Sequence, residues 1–106
     1  MSDNKEKSTV VKLNMSRPIQ SLIGDPILDG KEPLTIGKVL AAILANEKGA
    51  HFKPIKAWAL AQRFFTSDEV ALDFDDFENL KKTLEESAAW TPLVIGQIGE
   101  YFTSLK

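Results

Sequence analysis

Hydrophobic and polar positions along this chain follow two periods, and the clearest stretch lies at its C-terminal end. Val94, Ile95, Ile98, Tyr101, Phe102 and Leu105 recur at i, i+1, i+4, i+7, i+8 and i+11, the stripe of an amphipathic helix. Thr91-Pro92 opens it as an N-cap followed by proline at the first helical position, where the missing N–H costs nothing. Upstream, Val70, Leu72 and Phe74 alternate with Ala71 and Asp73, which is the period of a strand. Asp73 then caps a charged helix, with Asp76 three residues on as a variant of the capping box. Asp75 and Asp76 sit where the helix dipole favours negative charge. Phe77, Leu80, Leu84 and Ala88 line the inner face of that helix.

The middle of the chain reads as two more helices. Thr35 caps the first, in which Ile36, Val39, Leu40, Ile43 and Leu44 form an unbroken stripe. Asn46-Glu47-Lys48-Gly49 ends it, with Gly49 as the left-handed residue. Pro54 starts the next helix, which runs to about Phe65. One of its faces carries Ile55, Trp58, Ala59 and Gln62, and another Ala57, Leu60, Ala61, Phe64 and Phe65. Apolar on most of its circumference, it is expected to be the central helix, with Trp58 in the core.

Residues 9–15 alternate as a strand, with Val11, Leu13 and Met15 on one side and Lys12 and Asn14 on the other. Pro18 interrupts. Gly24-Asp25-Pro26 and Asp29-Gly30 are turns, with a short strand at Ile27-Leu28 between them. A β-hairpin or three-strand meander over residues 9–34 follows. The predicted fold is α+β, an N-terminal β-hairpin or small antiparallel sheet packed on about four α-helices. Residues 1–8 read as a flexible polar tail and residues 9–106 as a single domain.

Composition narrows the class without naming a function. The chain has 106 residues, of which 43% are apolar and 26% charged, enough for one core without staples. It has no Cys, which excludes disulfides, thiolate metal sites and thiol nucleophiles. Residues 1–8 hold no apolar stretch that would serve as a signal peptide. The longest apolar run, Val39 to Ala45, is far short of the ~20 residues of a membrane helix. A cytoplasmic protein is the expectation. The net charge of −2 argues against a general nucleic-acid coat.

The chemistry-bearing residues do not assemble into a motif. His51 is the only histidine, and no Ser or Cys pattern supplies a partner for base catalysis, so a surface or helix-start role is expected. The acids Asp68, Glu69, Asp73, Asp75, Asp76 and Glu78 invite a calcium reading. A loop starting at Asp73 puts Phe77 at position 5, Glu78 at position 6 and Leu84 at position 12, where an oxygen ligand, a glycine and a bidentate glutamate are needed. Capping explains the same acids without a metal. Ile36-Gly37-Lys38 lacks the upstream glycine of a phosphate loop, and Gly37 is better read as permitting close packing. No enzyme, metal or cofactor is expected.

Charge is unevenly spread. Residues 38–63 carry Lys38, Lys48, Lys53, Lys56 and Arg63 against Glu47, and residues 68–86 carry eight acids against Lys81 and Lys82. Such a bipolar surface can steer a partner, and solvated helix faces also look this way. Lys53, Lys56 and Arg63 share one face and make a candidate partner-binding stripe. Trp90, at a helix junction, either plugs a corner or anchors an interface.

Several successive runs resemble a group of small, mostly uncharacterised proteins of tailed bacteriophages and prophages. They are Leu28-Asp29-Gly30-Lys31, Glu32-Pro33-Leu34-Thr35-Ile36-Gly37-Lys38-Val39-Leu40, Lys56-Ala57-Trp58-Ala59-Leu60-Ala61, Asp68-Glu69-Val70-Ala71-Leu72, and Thr91-Pro92-Leu93-Val94-Ile95-Gly96-Gln97-Ile98. The likeness covers about residues 25–103 and fits the Arg17-Pro18 region least. It implies a phage or prophage origin and an architecture, and no catalytic residue. A protein–protein interaction module is therefore the leading expectation, binding a phage or host protein or itself. Strand edges within residues 9–28 are its expected means of pairing. The alternative is a small nucleic-acid-binding protein using the 53–63 basic helix face. A third reading, an enzyme, would need a pocket holding two of Asp68, Asp73, Asp75 and Asp76.

Ile98→Asp should unfold the domain, because it puts an unpaired charge in the middle of the last stripe. A thermal midpoint within about one degree of wild type would refute that placement.

Overall fold

The computed structural model describes residues 10–46, 51–87 and 90–105. Four helices and a small two-stranded antiparallel sheet make a compact α+β arrangement, as the patterning predicts. In chain order the elements are β1 (Val10–Asn14), β2 (Leu28–Asp29), β3 (Glu32–Pro33), α1 (Ile36–Asn46), α2 (Pro54–Thr66), β4 (Glu69–Asp73), α3 (Phe74–Glu86) and α4 (Pro92–Ser104). The tail at 1–8, the helix stop at Gly49 and the inner position at Ala88 lie outside the described residues.

β1 does not pair within the first thirty-four residues, as a hairpin there would require. It runs antiparallel to β4, with Leu13 opposite Val70 and Val11 opposite Leu72. The alternation still holds: Leu13, Met15, Val70 and Leu72 are buried, and Lys12, Asn14 and Ala71 are exposed. One face of the ribbon therefore lies on the core. The predicted turn at Asp29-Gly30 does form a hairpin, between β2 and β3, with Asp29 opposite Glu32. Gly30 takes φ 73° there, a conformation that side chains resist. Residues 17–20 run beside it in extended form: the Ile19 N–H donates to Leu34 O and the Ile27 N–H to Ile19 O.

The alternation at 70–74 breaks one residue early. Asp73 ends β4 and caps α3, its carboxylate accepting from the Asp76 N–H at 2.8 Å. Phe74 is thereby the first residue of the helix and is about half exposed. Thr35 caps α1 as expected, its Oγ1 accepting from the Lys38 N–H at 3.3 Å. Thr91 occupies the N-cap of α4, but its hydroxyl makes no capping bond there. Its carbonyl accepts from the N–H groups of Val94 and Ile95 instead.

α1 is the central helix, with Ile36, Gly37, Val39, Leu40, Ala41, Ile43 and Leu44 all buried. α4 contributes Val94, Ile98 and Phe102, and α3 contributes Phe77, Leu80 and Leu84. Phe77 meets Phe102 edge-on, with ring centroids 5.2 Å apart, a favourable aromatic geometry. α2 is not central. It buries only Ala57, Leu60, Ala61 and Phe64.

Gly37 is where these elements converge. Its N–H donates to Met15 O at 2.9 Å. A Cβ there would stand 2.5 Å from Phe64 O and 2.8 Å from Met15 Cβ. Gly37→Ala should therefore destabilise by about 1–3 kcal/mol, although alanine favours an unconstrained helix by about 1 kcal/mol. Urea denaturation decides the sign, and a stabilised variant would show that the three segments are not in contact.

Candidate interaction surface

The faces of α2 follow from about 100° of rotation per residue. Ala57, Leu60, Ala61 and Phe64 fall on one side and are buried. Lys56 and Arg63 fall on another. Between them Ile55, Trp58, Gln62 and Phe65 form a third stripe, and this one is open to solvent. Ile55 is 85% exposed, Phe65 65% and Trp58 57%. Sequence reasoning put Trp58 in the core and Phe65 beside Phe64. The structure corrects both: Phe65 is one residue, and so a quarter-turn, away from its buried neighbour, and Trp58 is more than half exposed among the described residues.

The same stripe forms one wall of a groove. Trp58, Ala61, Gln62 and Phe65 of α2 face Ala41, Ala42 and Ala45 of α1 across a cavity of about 560 Å³, with Leu34 and Trp90 adding apolar lining and Asp29, Lys38 and Thr66 polar lining. The small alanines create the space, because no side chain from α1 fills it. Trp90 is half-buried and packs on the core, so it serves as corner plug and groove wall at once. Lys38 stands at the rim, its Nζ donating to Pro33 O at 3.1 Å and lying 3.7 Å from Glu32.

The basic stripe is largely engaged within the molecule. Lys56 Nζ donates to Asp76 Oδ1 at 2.8 Å. The Arg63 guanidinium donates to Ala71 O at 3.4 Å, over the outer edge of β4. Lys53 is exposed. Lys56–Asp76 is thus a pair that joins the basic 38–63 segment to the acidic 68–86 segment across the fold. His51 joins in, its Nε2 lying 3.0 Å from Glu86 Oε2, at the start of α2 where a bland role is expected.

α4 also meets backbone groups of the N-terminal segment. Met15 and Asp68 form a hydrogen-bonded pair, so alternation turns the Asn14 N–H outward. It is met by Tyr101 Oη at 2.7 Å. Four residues earlier on α4, the Gln97 side-chain amide grips the Gln20 backbone, its Oε1 accepting from the Gln20 N–H at 3.0 Å and its Nε2 donating to Gln20 O. Arg17 lies over the Tyr101 ring at 5.0 Å. These contacts form the wall of a second, more polar cavity of about 660 Å³. No sequence signal marked Gln97 or the Tyr101 hydroxyl, because an i, i+4 polar pair on a helix does not reveal which strand it faces.

Asp68, Asp73, Asp75 and Asp76 line neither cavity. Asp73 is the cap of α3 and Asp76 is paired with Lys56. Among the described residues no group of three or more His, Asp or Glu is placed to hold a metal ion, and no helix is long and apolar enough to cross a membrane. No protein-family model matches the chain, and neither a curated protein nor a solved structure does.

The bond to Asp76 raises the Lys56 pKa above its usual 10.5; slight burial opposes this, and the Asp76 and Asp73 charges add to it. A raised folded-state value stabilises the protein below the unfolded pKa, and that stabilisation is lost as pH rises through the folded one. Lys56 is half exposed, so the pair contributes at most about 1 kcal/mol. The gap in urea midpoint between wild type and Lys56→Met should hold constant from about pH 7 to 9 and close above about pH 10.5. A gap that widens in alkali would contradict the pairing.

Proposed function

We propose that this chain is a non-enzymatic protein–protein interaction module, an accessory protein of a phage or prophage acting in the cytoplasm of the bacterial host. The observation that carries the interaction reading is the open apolar stripe of α2 beside the alanine-floored groove. A monomeric protein rarely leaves contiguous apolar surface of several hundred Å² uncovered without a use for it. Trp58, Phe65 and Trp90 are of the residue types that dominate binding energy at interfaces. The phage assignment rests on the succession of motifs from Leu28 to Ile98.

Strand addition draws less support, since the Tyr101 hydroxyl already meets the outward Asn14 N–H of β1. Nucleic-acid binding through the 53–63 face draws less support, since Lys56 and Arg63 already have partners. The partner is accordingly a protein, of phage or host or a second copy of the chain, held by apolar contact and weakly dependent on salt.

Pull-down from lysogenic host lysate should retain a protein that survives high salt and is lost on Trp58→Glu, with the far-UV spectrum unchanged. Nucleic acid released by salt and lost on Lys56→Glu instead would overturn the reading in favour of phosphate binding.

A further inference from the structure

We infer that the partner on this surface is a second copy of the chain, with the two α2 helices packed antiparallel about a twofold axis; this rests on the interaction reading above and names its occupant. The exposed stripe is symmetric in spacing about the level of Leu60. Ile55 and Phe65 lie five residues to either side, and Trp58 and Gln62 two residues to either side. A twofold axis crossing α2 at that level sets Ile55 against Phe65 of the second copy, and Trp58 against its Gln62, twice over. An isologous interface demands this self-complementarity, and the spacing of the stripe meets that demand.

Charge at the helix ends has the same symmetry. Lys53 precedes α2 and is exposed, while Asp68 and Glu69 follow it and are exposed. Antiparallel packing brings the Lys53 end of one copy, with its positive helix terminus, to the Asp68-Glu69 end of the other. Parallel packing would set Lys53 against Lys53. The groove beside the stripe, with its alanine floor and Trp90, borders this contact on each copy. Aromatic side chains bury about 150–250 Å² each when covered, so two of them and Ile55 supply the apolar centre of an interface, with Gln62 and the charged ends as its polar parts.

The chain has no Cys, so an introduced thiol is unique and can report the register. Ile55→Cys and Phe65→Cys variants, mixed in equal amounts and oxidised, should yield a disulfide-linked dimer on a non-reducing gel. Either variant alone should not, because ten residues of helix separate like positions by about 15 Å, beyond the reach of a disulfide. Cross-linking of Ile55→Cys alone as efficiently as the mixture would overturn the antiparallel arrangement. Light scattering after size exclusion should give the wild type twice the chain mass and Trp58→Glu the single chain mass. A wild type of single chain mass at about 1 mM, a concentration at which even weak pairing shows, would overturn self-pairing. Such a monomer that still captures a lysate protein through Trp58 retains the interaction reading and fails only the self-pairing. One that does neither loses both.

Discussion

The close approach at Gly37 is the constraint on which the rest of this fold depends. There the end of β1, the first turn of α1 and the last turn of α2 come within contact of one another, with Met15 O and Phe64 O on either side of a residue that has no side chain. The Gly37 N–H bond to Met15 O satisfies a helix-start donor that would otherwise need a cap or water. It also fixes where β1 ends. Met15 in turn receives Asp68 O on its N–H, which sets the β1–β4 register, and register decides which side chains of both strands meet the core. One backbone contact thus ties three segments far apart in sequence.

Once β1 is held this way, α4 meets its outer edge at Asn14. Tyr101 and Gln97 meet the outward N–H groups of Asn14 and Gln20, and Ile98, between them in sequence, is fully buried. The helix therefore does two things with two faces: it supplies core and it blunts an edge. Arg63 does the second for β4. Exposed strand edges invite pairing with other chains, and here side chains from helices take that role in place of further strands.

Most of the helical architecture was legible because α3 and α4 each have one apolar and one polar face, leaving a single way to orient them, and because the apolar stripe of α1 is unbroken. Gly37 and Asp73 were legible through their local chemistry, a glycine in a helical first turn and an acid one step before a helix. The partner of β1 was not. Alternation at Val11, Leu13 and Met15 states which side is buried, but the hydrogen-bonding partner is a backbone, and backbones are alike. The hairpin at Asp29-Gly30 lay nearer in sequence and drew the expectation toward itself. The candidate surface was legible only in part. Trp90 was marked as a corner or an anchor and does lie at the groove. Lys53, Lys56 and Arg63 were marked as a stripe, and the charges that neutralise Lys56 come from another element.

α2 shows why the remainder was hidden. Its hydrophobicity exceeds what one core-facing side can hold, and a helix apolar on most of its circumference is expected at the centre of a domain. That inference assumes the chain itself supplies every surface the helix lies against. Among the described residues, four helices and two two-stranded sheets do not surround α2 once α1 holds the central position, so Ile55, Trp58 and Phe65 are left more than half exposed. Composition therefore recorded a burial that the isolated fold does not deliver. The excess apolar surface of α2 is the surface that the proposed self-pairing would cover, with its end charges opposed.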